Sequence, residues 1–170
     1  MKTHGLALTL MALGVAVSYV ALAPAQVPTS CPVSLPPETP FTPPTPYPTE
    51  APYGTFWWGT EGLWTMLRAD GTWRGVPPDR GYRRGYRDKV FWWRPGYDGR
   101  VEPRPELEVT GRRIDAEAPP FTVPSATNAH SEDFGGWTML TGVDIPTTGC
   151  WEITGRYADE SLTFVVWVVE

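Results

Sequence analysis

His130 is the only histidine beyond residue 25, and Ser131, Glu132 and Asp133 follow it directly, with Ser125 a few residues upstream. A hydrolase needs a nucleophile, a base and an acid brought together in space, and Ser125 or Ser131 with His130 and an acid supplies those types. The setting argues against it. No nucleophile elbow is present, and neighbours along a chain rarely converge as a triad. His130, Glu132 and Asp133 could also hold a divalent cation, but their spacing has no ligand-set logic. No catalytic residue, metal ligand or cofactor is assigned, and a hydrolase centred on His130 is kept only as the weakest alternative.

Residues 80–87 read Arg-Gly-Tyr-Arg twice in tandem, without apolar periodicity, and so read as an exposed loop. Arg80, Arg83, Arg84 and Arg87, with Tyr82 and Tyr86, are candidates to hold an anionic polymer by charge and stacking. Outside a cell that polymer would be acidic glycan, teichoic polymer or phospholipid rather than nucleic acid, although nucleic acid uses the same chemistry. The plainer reading, which we prefer, is a solvated loop whose arginines pair with acidic residues elsewhere. Charge is segregated along the chain. Arg68 to Arg113 carries twelve basic against seven acidic residues, a balance of +5, whereas Ile114 onward has nine acids and one arginine, a balance of −8.

Nine tryptophans suggest stacking on sugar rings. Trp57-Trp58 and Trp92-Trp93 are adjacent pairs, so in a strand one ring of each pair faces in and the other out. An uncovered outward ring is what a glycan binder requires, which makes these four the glycan-stacking candidates. Against this, the outward rings could pack under loops or prolines, with Trp64, Trp73, Trp137 and Trp151 building the core. That covered arrangement is the preferred expectation.

The elements that must position these residues are strands. Gly149 to Tyr157 alternates, with Trp151, Ile153, Gly155 and Tyr157 on one face and Cys150, Glu152, Thr154 and Arg156 on the other. After a turn, Leu162 to Val169 is apolar on both faces, as for a strand covered on both sides. Further strands are expected at 55–58, 62–68, 89–93, 106–112 and 137–144. Asp70-Gly71 reads as a hairpin turn with the return strand starting at Thr72. Residues 118–124 read as an irregular crossing and 125–136 as polar loop. The sum is an all-β, immunoglobulin-like antiparallel sandwich of seven to eight strands over residues 53–170.

Ahead of it, Pro24 to Pro52 holds eleven prolines in 29 residues, so 26–52 is extended polyproline rather than sheet. It is a strap over the sandwich or a linker; the strap is preferred, with Phe41 to Pro48 its loose part. Residues 1–25 read as a signal peptide, with Lys2, an apolar run and Ala23-Pro24-Ala25 before a cut at Gln26. The alternative is an uncleaved membrane anchor through residues 5–22. Export places Cys31 and Cys150 where pairing is the default, so a disulfide between them is expected.

The residues also suggest a family. Phe91-Trp92-Trp93-Arg94, Leu107 to Asp115 running on to Pro120, and Gly149-Cys150-Trp151-Glu152-Ile153-Thr154-Gly155-Arg156 resemble a group of exported bacterial proteins of unknown function. Cys31-Pro32-Val33 and Leu63-Trp64 match that pattern as well. The resemblance implies a secreted or lipid-anchored sandwich and brings no activity; the doubled Arg-Gly-Tyr-Arg lies outside it. The expectation for function is a non-catalytic, secreted or periplasmic module that binds an envelope polymer or protein, the ligand itself being unspecified. A carbohydrate-binding module is the alternative.

Overall fold

The computed structural model describes residues 26–78 and 85–169. Among them are ten strands: β1 (Thr55–Gly59), β2 (Trp64–Arg68), β3 (Thr72–Trp73), β4 (Tyr86–Trp93), β5 (Glu108–Arg113), β6 (Phe121–Val123), β7 (Thr127–Ser131), β8 (Gly136–Ile145), β9 (Gly149–Tyr157) and β10 (Glu160–Val168). Two five-stranded sheets result, ordered β1-β2-β4-β8-β7 and β3-β10-β9-β5-β6. They pack face to face. The all-β sandwich read from the sequence is what the chain forms, with ten strands in place of seven or eight.

Alternation sets the interior. β9 buries Trp151, Ile153, Gly155 and Tyr157, and β10 buries Leu162, Phe164, Val166 and Val168. From the facing sheet come Trp92, Val90, Met139, Val143 and Ile145. Trp92 reaches across the sandwich and lies on the backbone of Gly155, where a Cβ would fall 2.4 Å from its ring. Only glycine permits that approach. The buried indole donates to Thr141 Oγ1 at 3.1 Å, so the ring carries no orphaned donor into the core.

Two expectations are corrected. Asp70-Gly71 does turn the chain, with Gly71 at φ +68°, but β3 does not return along β2. It crosses to the other sheet and pairs parallel with β10, Thr72 opposite Trp167. The Asp70 carboxylate takes both the backbone N–H and the hydroxyl of Thr72, which aims the chain there. Residues 121–123 and 127–131, expected as a crossing and a loop, are the edge strands β6 and β7, held by ladders to β5 and β8.

The proline-rich segment lies on the molecule. Cys31 and Cys150 are paired, with their Cα atoms 5.7 Å apart. Ser34 then pairs with Val165 in both directions, its N–H donating at 2.9 Å and its hydroxyl accepting at 3.0 Å. Farther on, Phe41 and Tyr47 sit against Trp64, with ring centroids 5.8 and 5.0 Å away. Trp57 Nε1 donates to the Pro48 carbonyl and the Tyr47 hydroxyl to the Arg94 carbonyl. The stretch expected to be loose, Phe41 to Pro48, is thus the part that covers the sheet. Beneath it Trp57, Trp64, Trp93 and Phe134 form a second apolar cluster on the outer face of β1, β2 and β4.

Candidate functional site

β1 is an edge strand, so its rings are divided between two faces and one open flank. Phe56 and Trp58 point to the inter-sheet core, and Trp57, between them, points to the opposite side under the strap. Trp58 sits at the rim of the sandwich and is only half-buried. Its indole N–H donates 3.0 Å to the carbonyl of Thr163 on β10, a bond from one sheet to the other. Phe56 supports it edge-on at 6.3 Å.

Outside Trp58 lies a cleft of about 480 Å³, lined chiefly by Pro37, Pro40, Phe41, Trp58, Leu162 and Thr163. Prolines carry no N–H, so the strap wall offers rings and carbonyls rather than donors. The lining includes no ionisable side chain; its polar groups are the threonines Thr39, Thr60 and Thr163. Such a surface stacks and excludes water. Among its lining side chains there is no carboxylate, imidazole, amine or thiol.

The remaining sequence candidates fall elsewhere. Trp92 and Trp93 are both fully buried, one in the inter-sheet core and one under the strap, so neither can stack on a ligand. Trp57 is covered as well, at 4% exposure. Trp93 meets Trp57 edge-on at 4.9 Å and Phe134 at 5.6 Å, which explains why the outward ring of that pair finds no solvent. Of the four tryptophans considered for glycan stacking, Trp58 alone keeps an open face.

Arg80, Tyr82, Arg83 and Arg84 lie outside the described residues. The rest of that candidate set is absorbed into β4. Tyr86 is buried in the main core rather than displayed for stacking. Arg87 pairs with Asp144 at 3.4 Å, one of three ion pairs among the described residues, with Arg112–Glu152 and Arg113–Asp115, that join the basic stretch of the sequence to the acidic one.

His130 is exposed on edge strand β7 and its ring stands against Trp137 at 4.9 Å. The Ser131 hydroxyl accepts the Asp133 N–H and caps a 3-10 turn (Glu132–Phe134). That hydroxyl is used structurally, and no hydrogen bond joins His130 to Ser125 or Ser131 among the described residues. Nor do three or more His, Cys, Asp or Glu side chains converge there as a metal site.

A polar cluster closes the end of the sandwich near the β9–β10 turn. Tyr157 donates its hydroxyl to the Glu102 carboxylate, Tyr97 donates to the Glu102 carbonyl at 2.9 Å, and Arg94 stacks on the Tyr157 ring at 5.1 Å. Burial, then negative charge on Glu102, Tyr157 and Asp98, pushes the Tyr97 phenol up to about 12. Asp98 goes the other way, to about 2, through its hydrogen bonds with the Arg100 side chain and backbone. These groups are tied to one another around a shallow cavity of about 210 Å³.

Sequence reasoning missed Pro37, Pro40, Phe41, Leu162 and Thr163 as site residues. The signal was the proline spacing itself, which places a ring or a carbonyl at every step of an extended wall. Comparison with family models, with curated proteins and with solved structures found no match to this chain. Among the described residues no helix is long and apolar enough to cross a membrane.

Proposed function

We propose that this chain is a non-catalytic, extracytoplasmic binding module whose ligand seats against Trp58 in the cleft between the strap and the β1–β10 rim. The observation that carries the reading is the half-open Trp58 ring in an apolar cleft of about 480 Å³ without an ionisable group. A site built this way recognises a ligand with a flat apolar face and hydroxyl edges, and a sugar ring has both. Export is part of the proposal. It is supported by the apolar stretch before residue 26 and by the Cys31–Cys150 pair, which persists in an oxidising compartment.

The test is retention of the disulfide-bonded protein on insoluble envelope material. Stacking predicts that the protein stays bound through a high-salt wash and that Trp58→Ala releases it, with near-UV circular dichroism confirming that the variant is folded. Release of the wild type by modest salt, with Trp58→Ala behaving identically, would overturn the cleft and return attention to the arginine loop. Trp92→Phe, altered in the core, serves as the comparison because it changes an indole that no ligand can reach.

A further inference from the structure

The outer face of the β10-β9-β5-β6 side carries a row that single-strand reading does not reveal. Thr163 is opposite Thr154, Thr154 is opposite Thr110, and Thr110 is opposite Thr122. Four threonines therefore stand in register across four neighbouring strands. Adjacent strands lie about 4.8 Å apart, so the row is about 14 Å long. Thr163 ends it, and Thr163 is also part of the wall of the Trp58 cleft.

The row lies in a shallow concavity of about 320 Å³, lined by Thr110, Thr122 and Thr154 with Arg112, Glu152 and Arg156. The Thr154 and Thr163 hydroxyls are hydrogen-bonded to each other at 2.8 Å, which leaves each further capacity. Among the described residues Thr110 and Thr122 bond to nothing through their hydroxyls. The charges on either side cancel. Arg112 binds Glu152 at 2.7 Å, and Glu108 faces Arg156 across the ladder. The face thus offers hydroxyls flanked by balanced charge, with no net sign to draw an anionic or cationic polymer.

The geometry points to a neutral, extended β-linked glycan that runs across the strands over Thr122, Thr110, Thr154 and Thr163 and ends with a sugar ring on Trp58. This rests on the cleft reading and names its ligand class. An extended β-1,4-linked chain advances by roughly one strand spacing per sugar and carries hydroxyls along both edges, so each threonine meets a hydroxyl of one sugar, a different hydroxyl on alternate sugars where the rings are flipped. A peptide does not suit the row. Peptides that join a sheet lie along an edge strand, whereas the row runs across the strands and its middle members, β5 and β9, are already paired on both sides.

The experiment is calorimetric binding of the disulfide-bonded full chain to cellohexaose, xylohexaose and chitohexaose, with the matching disaccharides and polygalacturonate as comparisons. The test variants are Thr110→Val with Thr154→Val, a shape-conserving pair suited to strands, and Trp58→Ala. We expect at least one neutral hexasaccharide to bind, its disaccharide to bind far more weakly, and salt to have little effect. The threonine pair should weaken binding about ten-fold, from two lost hydrogen bonds. Unchanged binding by the threonine pair, with loss in Trp58→Ala, overturns the track and leaves the cleft. A preference for polygalacturonate overturns the neutral class. Binding by none of the three hexasaccharides also overturns the class, and then Trp58-dependent retention on envelope material shows whether the cleft itself survives.

Discussion

Trp57 and Trp58 are adjacent, yet one is sealed under prolines and the other faces a cleft. That difference is a matter of what each face meets, and alternation along β1 was legible in the sequence for this reason alone. What could not be read was the cover. Phe41, Tyr47 and Phe134 come from remote parts of the chain, and nothing local to Trp93 says that an outward ring will be buried by them. Tyr86 failed as a displayed ring for a similar reason: the second Arg-Gly-Tyr-Arg runs into β4, whose alternation turns that tyrosine inward. The buried tyrosines give a test at this scale. Tyr47, Tyr97 and Tyr157 all have phenols raised above the ordinary value, by burial first in each case. A raised folded value favours the neutral phenol, so its stabilising effect is full below pH about 10 and is lost as pH climbs towards 12. Ultraviolet titration at 295 nm should show these tyrosines ionising after exposed ones, with denaturant midpoints falling over the same window. A Tyr97 that ionises with the exposed tyrosines would contradict its burial.

Strands differ in how openly they announce themselves. β9 and β10 were legible because each has a dense apolar face, and the inward set Trp151, Ile153, Gly155 and Tyr157 is buried as alternation requires. β6 and β7 were not, being short edge strands of mixed residues such as Thr-Asn-Ala-His-Ser whose conformation is set by the ladder beside them. β3 misled because Asp-Gly signals a turn but not the sheet in which the chain continues. The threonine row was visible only in part: Thr154 was read on an outward face, but Thr122 was read in an irregular crossing and Thr163 on a strand covered on both sides, and register between strands distant in sequence is a tertiary fact. Gly155 on β9 provides the prediction here. Gly155→Ala puts a methyl into the Trp92 ring, and overpacking of this kind costs about 1–3 kcal/mol. Urea unfolding should show a lower midpoint with an unchanged slope. An unshifted midpoint would mean that Trp92 is free to move aside.

Among the described residues, Arg87–Asp144 and Arg112–Glu152 bring the basic and acidic stretches of the sequence together in space. The long-range tie is Cys31–Cys150, 119 residues apart. On the chain-entropy model a loop of that length contributes roughly 4 to 5 kcal/mol. Replacing both cysteines by serine should lower the unfolding free energy by about that amount, and reductant should shift the wild type but not the double variant. If reductant leaves the wild-type unfolding curve in place, the two sulfurs are not joined.

The flank of β10 away from β9, continued by Val169, has four attachments: the Trp58 indole on Thr163, Ser34 on Val165, Gly71 on Trp167 and Trp73 on Val169. A ribosome makes every one of those partners, and β1 through β9, before it makes β10. Until then β3 has no strand to pair with, β9 lacks its β10 ladder, and the part of the core filled by Leu162, Phe164, Val166 and Val168 is missing. The contacts that β10 makes with β3, the strap and Trp58 are long-range, so their loop-closure entropy is repaid only once β10 is in place. β10 therefore completes the second sheet and ties it at once to β1, β3 and the strap.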